Sequence, residues 1–210
     1  MRRLWLRLRL RRLQNRLPGV RHVGQPEKGL TRRCATSVRP FSRKVKAMKR
    51  TSVCTLEEAL DYRNDEIIFR FIGMYDMPFE EAEGLFTETK KWIWIAAVAS
   101  REDGLKLIID SYLRFIDEMW HNFVLFTKAY NQYCQSRFGF FVHHNPTPHL
   151  EKERFKAQIL SDPSLSAILE RRRHQYSYIY DKLGAETLEL WYGVLCDKYT
   201  PQYLHSIRQQ

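Results

Sequence analysis

From Phe79 to Val98 the chain carries one uninterrupted helical signal. Phe79, Ala82, Phe86, Thr89, Ile93 and Ala96 recur at helical spacing, and Trp92, Trp94, Ile95 and Val98 make the later turns apolar on every side. A helix that is apolar all round needs neighbours all round. This stretch therefore predicts a central helix running through the core, with other helices packed about it.

The flanking segments read as those neighbours. Thr55-Leu56-Glu57-Glu58 has the capping-box spacing, in which a hydroxyl accepts from the N3 amide and the N3 acid reaches back, so a helix is expected to start there. Ile68, Phe71, Ile72 and Tyr75 share one helical face, and Gly73 weakens its end. Pro78 suits the first turn of the central helix, and Glu80 and Glu81 favour the positive end of its dipole. Leu105 to Ile109 reads as a short strand or a helix; helix is the expectation, because no second strand of comparable strength is available to pair with it. From about Leu113 one helix is expected, with Ile116, Trp120, Phe123, Thr127, Tyr130 and Cys134 on a single stripe and Gly139 as its terminator. Phe140 to His144 is extended or irregular, kept so by Pro146 and Pro148.

A polar helix follows at 150–160. Ser161-Asp162-Pro163 then signals another start, with Leu165, Leu169, Tyr176, Ile179 and Leu183 facing inward and Gly184 as its stop. Arg171, Arg172 and Arg173 in its middle read as a solvated face rather than a phosphate clamp. Leu188, Trp191, Tyr192 and Leu195 mark a further helix from Ala185 to Cys196. The fold class expected is all-α: a single compact multi-helix domain, residues 52–210, behind a basic tail, residues 1–51.

The net charge of +11 suggests nucleic acid until it is divided by region. Residues 1–50 hold 17 Lys or Arg against one acid, Glu27, while the rest of the chain holds 18 against 23. The domain is thus mildly acidic, and its expected partner is a protein or a small molecule rather than nucleic acid. The tail opens MRRLWLRLRLRRLQNRL, with Leu6, Leu10, Leu13 and Leu17 on one face. Three readings of it stand: a mis-called start ahead of true initiation at Met48, an organellar transit segment, or a basic arm for membrane or nucleic acid. A cytoplasmic location is expected, or a mitochondrial one if residues 1–47 are a transit peptide. The longest apolar run, Trp92 to Ala99, is far short of the roughly 18 to 20 residues of a membrane span. Cys34, Cys54, Cys134 and Cys196 form no CxxC pair, which excludes a zinc knuckle or a dithiol redox motif. Without GxGxxG, Walker A or a nucleophile elbow, nucleotide-dependent and serine-hydrolase mechanisms have no support.

The chemistry-bearing residues gather between Phe115 and His144. Asp117 and His121 stand at i and i+4, on one helical face, close enough for a hydrogen bond or shared ligation. His143 and His144 lie on a segment able to fold back beside them. A carboxylate with two imidazoles is the donor set of a non-haem iron or a catalytic zinc site, so Asp117, His121, His143 and His144 are candidate ligands of a divalent metal, iron or zinc. The spacing matches no HExxH signature. The competing reading is structural: Asp117 orients His121, and His121 pins the loop of residues 140–148, with Trp120, Tyr130, Cys134, Gly139 and Pro146 completing a polar and aromatic cluster. Metal-free acid/base chemistry is a third reading. Cys134, on the apolar stripe, reads as a buried thiol rather than a nucleophile, and Trp120, Phe138, Phe140 and Phe141 as core.

Ile116-Asp117-Glu118-Met119-Trp120-His121, followed by Thr127, Tyr130, Cys134, Phe138-Gly139, His143-His144 and Pro146, resembles the characteristic block of the glycine-rich-domain-containing-protein-like family of plant multidomain proteins and small bacterial proteins. The resemblance is close over 116–146 and loose over 55–196, through Glu81-Ala82-Glu83, Leu85-Phe86 and Lys91-Trp92. It implies a helical fold and carries over no biochemical activity. Where plant members have a second histidine two places after the first, this chain has Phe123. The functional expectation is a small intracellular binding or scaffold module with a structural Asp/Trp/His cluster. The alternatives are a metal-binding protein or metalloenzyme using Asp117, His121 and His143 or His144, and nucleic-acid binding through the tail. Whether the chain is an enzyme stays open.

Overall fold

In a computed structural model the chain divides into two units, Met1–Lys49 and Arg50–Gln210. The structure describes residues 52–145, 148–161 and 165–209; the basic tail, Pro146 and the Asp162-Pro163 helix signal lie outside the described residues.

Helix α1 (Leu56–Leu60) opens on the complete capping box: the Glu58 amide donates to Thr55 Oγ1 at 3.2 Å, and the Thr55 amide to Glu58 Oε2 at 2.8 Å. Helix α2 (Asp65–Ile72) buries Ile67, Ile68 and Phe71. Helix α3 (Phe79–Arg101) is the central helix its pattern predicts, packed against α1, α2 and α4 (Arg114–Leu125). Its buried polar groups all find partners. Lys90 Nζ donates to the carbonyls of Leu60 and Tyr62, Thr89 to Leu85, and Glu88 accepts from Trp191 Nε1 at 2.7 Å. A buried polar group without such a partner is costly, so these bonds are what allow Glu88, Thr89 and Lys90 to lie buried in α3.

Helix α5 (Thr127–Phe138), α6 (His149–Ser161) and α7 (Ser166–Glu189) follow; a π-helical stretch (Leu190–Leu195), the single turn α8 (Cys196–Lys198) and α9 (Pro201–Ser206) complete the domain. No helix among the described residues is long and apolar enough to cross a membrane. No strand occurs among them, apart from an isolated bridge between Tyr75 and Arg208. Phe123 is the hub of the aromatic core, with the rings of Tyr62, Phe86, Tyr130 and Tyr133 5.0 to 5.6 Å away.

Three expectations are corrected. The segment 104–110 is neither helix nor strand, and the Gln175 side chain takes the part of a missing strand, accepting from Ile108 N at 2.8 Å and donating to Ile108 O at 3.0 Å. The helix expected from Leu113 is two helices, broken at Phe126 (φ −80°, ψ 59°), and Thr127 is exposed rather than on the buried stripe. Arg172 is no part of a solvated face, since Nε lies 3.6 Å from Asp110 Oδ2 and the guanidinium covers the Tyr112 ring. Burial raises the Asp110 pKa and the Arg172 charge opposes that rise. Gly184, by contrast, breaks α7 where expected, with φ 84° and ψ 171°.

Candidate metal centre

Two ligand candidates come from α4 and one from the segment after α5. Asp117 and His121 sit one turn apart on α4, and Nδ1 of His121 is 3.9 Å from Asp117 Oδ2. The chain leaves α5 through Gly139, whose left-handed conformation (φ 73°, ψ 8°) suits a residue without a Cβ. Arg101 steadies this corner, donating to the Phe138 carbonyl at 2.6 Å and lying over the Phe140 ring. The segment then returns beside α4 and places His144 Nε2 2.9 Å from Asp117 Oδ1.

The ligand atoms of Asp117, His121 and His144 all lie within 4.8 Å of one another. The two imidazoles lie close and tilted, with centroids 4.3 Å apart and planes at 32°. His143, the other candidate, is not in this group: it is exposed, with its ring 4.9 Å from Phe141. Of the two consecutive histidines it is His144 that meets Asp117, while His143 stays exposed.

Burial grades across the centre. The side chains of His144, Asp117 and His121 are 13 %, 32 % and 57 % exposed. Beneath them lies a closed layer. The indole of Trp120 meets the His144 ring at 4.2 Å, its Nε1 donates to Tyr130 Oη at 2.9 Å, and the Tyr130 hydroxyl donates to the Val142 carbonyl at 2.6 Å. The Val142 amide faces Cys134, whose thiol pKa is raised by burial and pulled back by that amide and by the Tyr130 hydroxyl. Trp120, Tyr130, Cys134 and Gly139, read together from sequence, are thus assembled around one turn of chain.

The break at Phe126 makes this layer. In one straight helix Trp120 and Tyr130 would be separated by about 15 Å of rise, too far for their side chains to bond. Val142 was missed by sequence reasoning: it takes part through its backbone, which leaves no mark in residue type. Missed also were Asn122, whose amide donates to the Ile67 carbonyl at 2.7 Å and accepts from Arg70 at 2.5 Å, and Glu118, which accepts from the Tyr75 hydroxyl at 2.9 Å. These bonds lock α4 to α2 and to Tyr75 just beyond it, and set the rotation at which α4 presents Asp117 and His121. Burial, followed by the Glu118 charge, pushes the Tyr75 pKa up to about 12.

Carboxylate, imidazole and imidazole on a half-open surface form a donor set suited to a divalent ion with positions left for water. Zinc bound at about 2.0 to 2.1 Å wants its ligand atoms about 3.3 Å apart, so closing the group asks for a movement of about an ångström, which the exposed His121 side chain can make.

A family model described as UCP032817-like matches residues 82–161, a span that takes in most of α3, all of α4 and α5, and the whole candidate centre. No curated protein and no solved structure matches the chain.

Proposed function

We propose that this helical domain binds a divalent metal, zinc or iron(II), through Asp117, His121 and His144. The observation that carries the reading is the convergence of the three ligand atoms at the surface while the hydrogen-bonded layer beneath is already complete. A purely structural histidine would be expected inside that layer. His121 is instead more than half exposed and approaches Asp117 only to 3.9 Å, a pairing worth little to the fold. With three protein ligands and solvent on one side, the bound ion would keep open positions, which is the arrangement of a catalytic rather than a closed structural site. The resemblance to the glycine-rich-domain-containing-protein-like family is part of the same proposal, since the block that carries it contains Asp117, His121 and the His143-His144 pair.

Elemental analysis of the untagged chain tests the reading, beside His121→Ala. About one equivalent of zinc or iron is expected in the wild type and a loss of at least tenfold in affinity in the variant. The helical circular dichroism of the variant should persist, with stability changed by less than about 1 kcal/mol. A folded wild type without metal, even after incubation with zinc or iron(II), sinks the proposal. A role as a binding or scaffold module has one favouring observation, the large apolar side chains exposed at Phe69, Leu125, Leu150 and Val194.

A further inference from the structure

The histidine that completes the centre lies on irregular backbone, and irregular backbone does not by itself hold a ring to the tolerance a ligand needs. A hydrogen-bonded relay ending on Val142, two residues ahead of His144, supplies that tolerance. An indole N–H can only donate and a carbonyl can only accept, so the Tyr130 hydroxyl between them must accept from Trp120 and donate to Val142. The chain of bonds has one polarity, and each bond strengthens the other. All of this is enclosed: Tyr130 is fully buried, Trp120 and Val142 nearly so. Trp120 closes the circuit, because the indole that starts the relay is also the surface on which the His144 ring rests.

We infer that Tyr130 is a positioning residue for His144, acting through the backbone of Val142, and that the affinity of the centre for its metal is set by this buried hydroxyl. As an account of affinity the inference rests on the metal-binding reading; as an account of what fixes His144 it does not. The ring of Tyr130 is held independently of its hydroxyl, edge-on to Phe123 at 5.0 Å and to Phe141 at 5.1 Å, so Tyr130→Phe should keep the packing and lose the relay.

Tyr133 provides the control. It lies on the same helix, is equally buried and also donates to a carbonyl, that of Ala59 at 3.2 Å, away from the 140–145 segment. The test uses two readouts on the wild type, Tyr130→Phe and Tyr133→Phe. One is the ring nitrogen spectrum of His144 in the metal-free protein, expected to show a single Nε2–H tautomer held by Asp117. The other is titration with Co(II), read by its visible spectrum. Tyr130→Phe should average the His144 tautomers and weaken Co(II) binding on the order of tenfold to a hundredfold, while Tyr133→Phe changes neither. Unchanged tautomer and affinity in Tyr130→Phe overturn the inference, as does an equal loss in Tyr133→Phe, which would make the effect one of general loosening. A wild type that takes up no Co(II), with His144 still released by Tyr130→Phe, overturns the metal reading and leaves the positioning role standing.

Discussion

Lys90 shows how a single residue can tie stability to pH in this fold. It is 3 % exposed in the middle of α3, and its Nζ donates to the Leu60 and Tyr62 carbonyls at 2.7 and 2.9 Å. Burial first, then the nearby charge of Arg63, lowers its pKa to about 8. A lysine that ionises less readily in the folded chain than in the unfolded one opposes folding while it is charged in both. As the pH rises through about 8, the folded side chain gives up its proton while the unfolded one keeps it to about 10.4, so stability should increase across that window. Above about pH 10 the trend should reverse, because buried tyrosines such as Tyr75 keep protons that the unfolded chain releases. Urea midpoints measured from about pH 7 to about pH 10 should rise for the wild type relative to Lys90→Met, which has nothing to titrate; parallel curves for the two proteins would refute the assignment.

At the scale of elements, the breaks decide more than the helices. Phe126 lets α5 turn so that Tyr130 reaches Trp120, Gly139 sends the chain back towards α4, and Gly184 separates α7 from the turns that carry Trp191 into the core against Trp92, 5.7 Å away. Gly184 holds φ 84° and ψ 171°, a region open essentially to glycine alone, and a Cβ there would meet no atom within 4 Å. Gly184→Ala should therefore destabilise the protein by about 1 to 3 kcal/mol through backbone strain with no clash. Thermal unfolding checks this: a variant as stable as the wild type would mean that the helix runs through position 184 without the break.

For the molecule as a whole, charge and chemistry lie on different parts of the chain. All three proposed ligands and the relay of Trp120, Tyr130 and Val142 fall between 114 and 145, inside the unit Arg50–Gln210, whereas the excess of positive charge falls in the first 50 residues. A chain beginning at Arg50 should keep its helical circular dichroism and its metal uptake and lose any salt-dependent retention on a polyanionic matrix. Loss of metal uptake with the tail would show instead that the centre depends on residues outside the described domain.

Much of this organisation could be read from residues alone, because the forces behind it are local. The capping box at Thr55, the apolar periodicity of α3 and the one-turn spacing of Asp117 and His121 all depend on neighbours within four residues, which the chain states directly. The choice of His144 over His143, the break at Phe126 and the fate of 104–110 depend on partners far along the chain. His144 meets Asp117 across 27 residues, and the backbone of Ile108 is satisfied by Gln175 from 67 residues away. Such contacts form only where packing brings two segments together, and several of them end on a backbone carbonyl or amide, which every residue possesses and no residue type reveals. The sequence by itself determined that helices would pack about α3 and that two of the three ligands would stand on one of them; the tertiary structure decided which histidine completes the set, because only packing brings the segment after α5 back against α4.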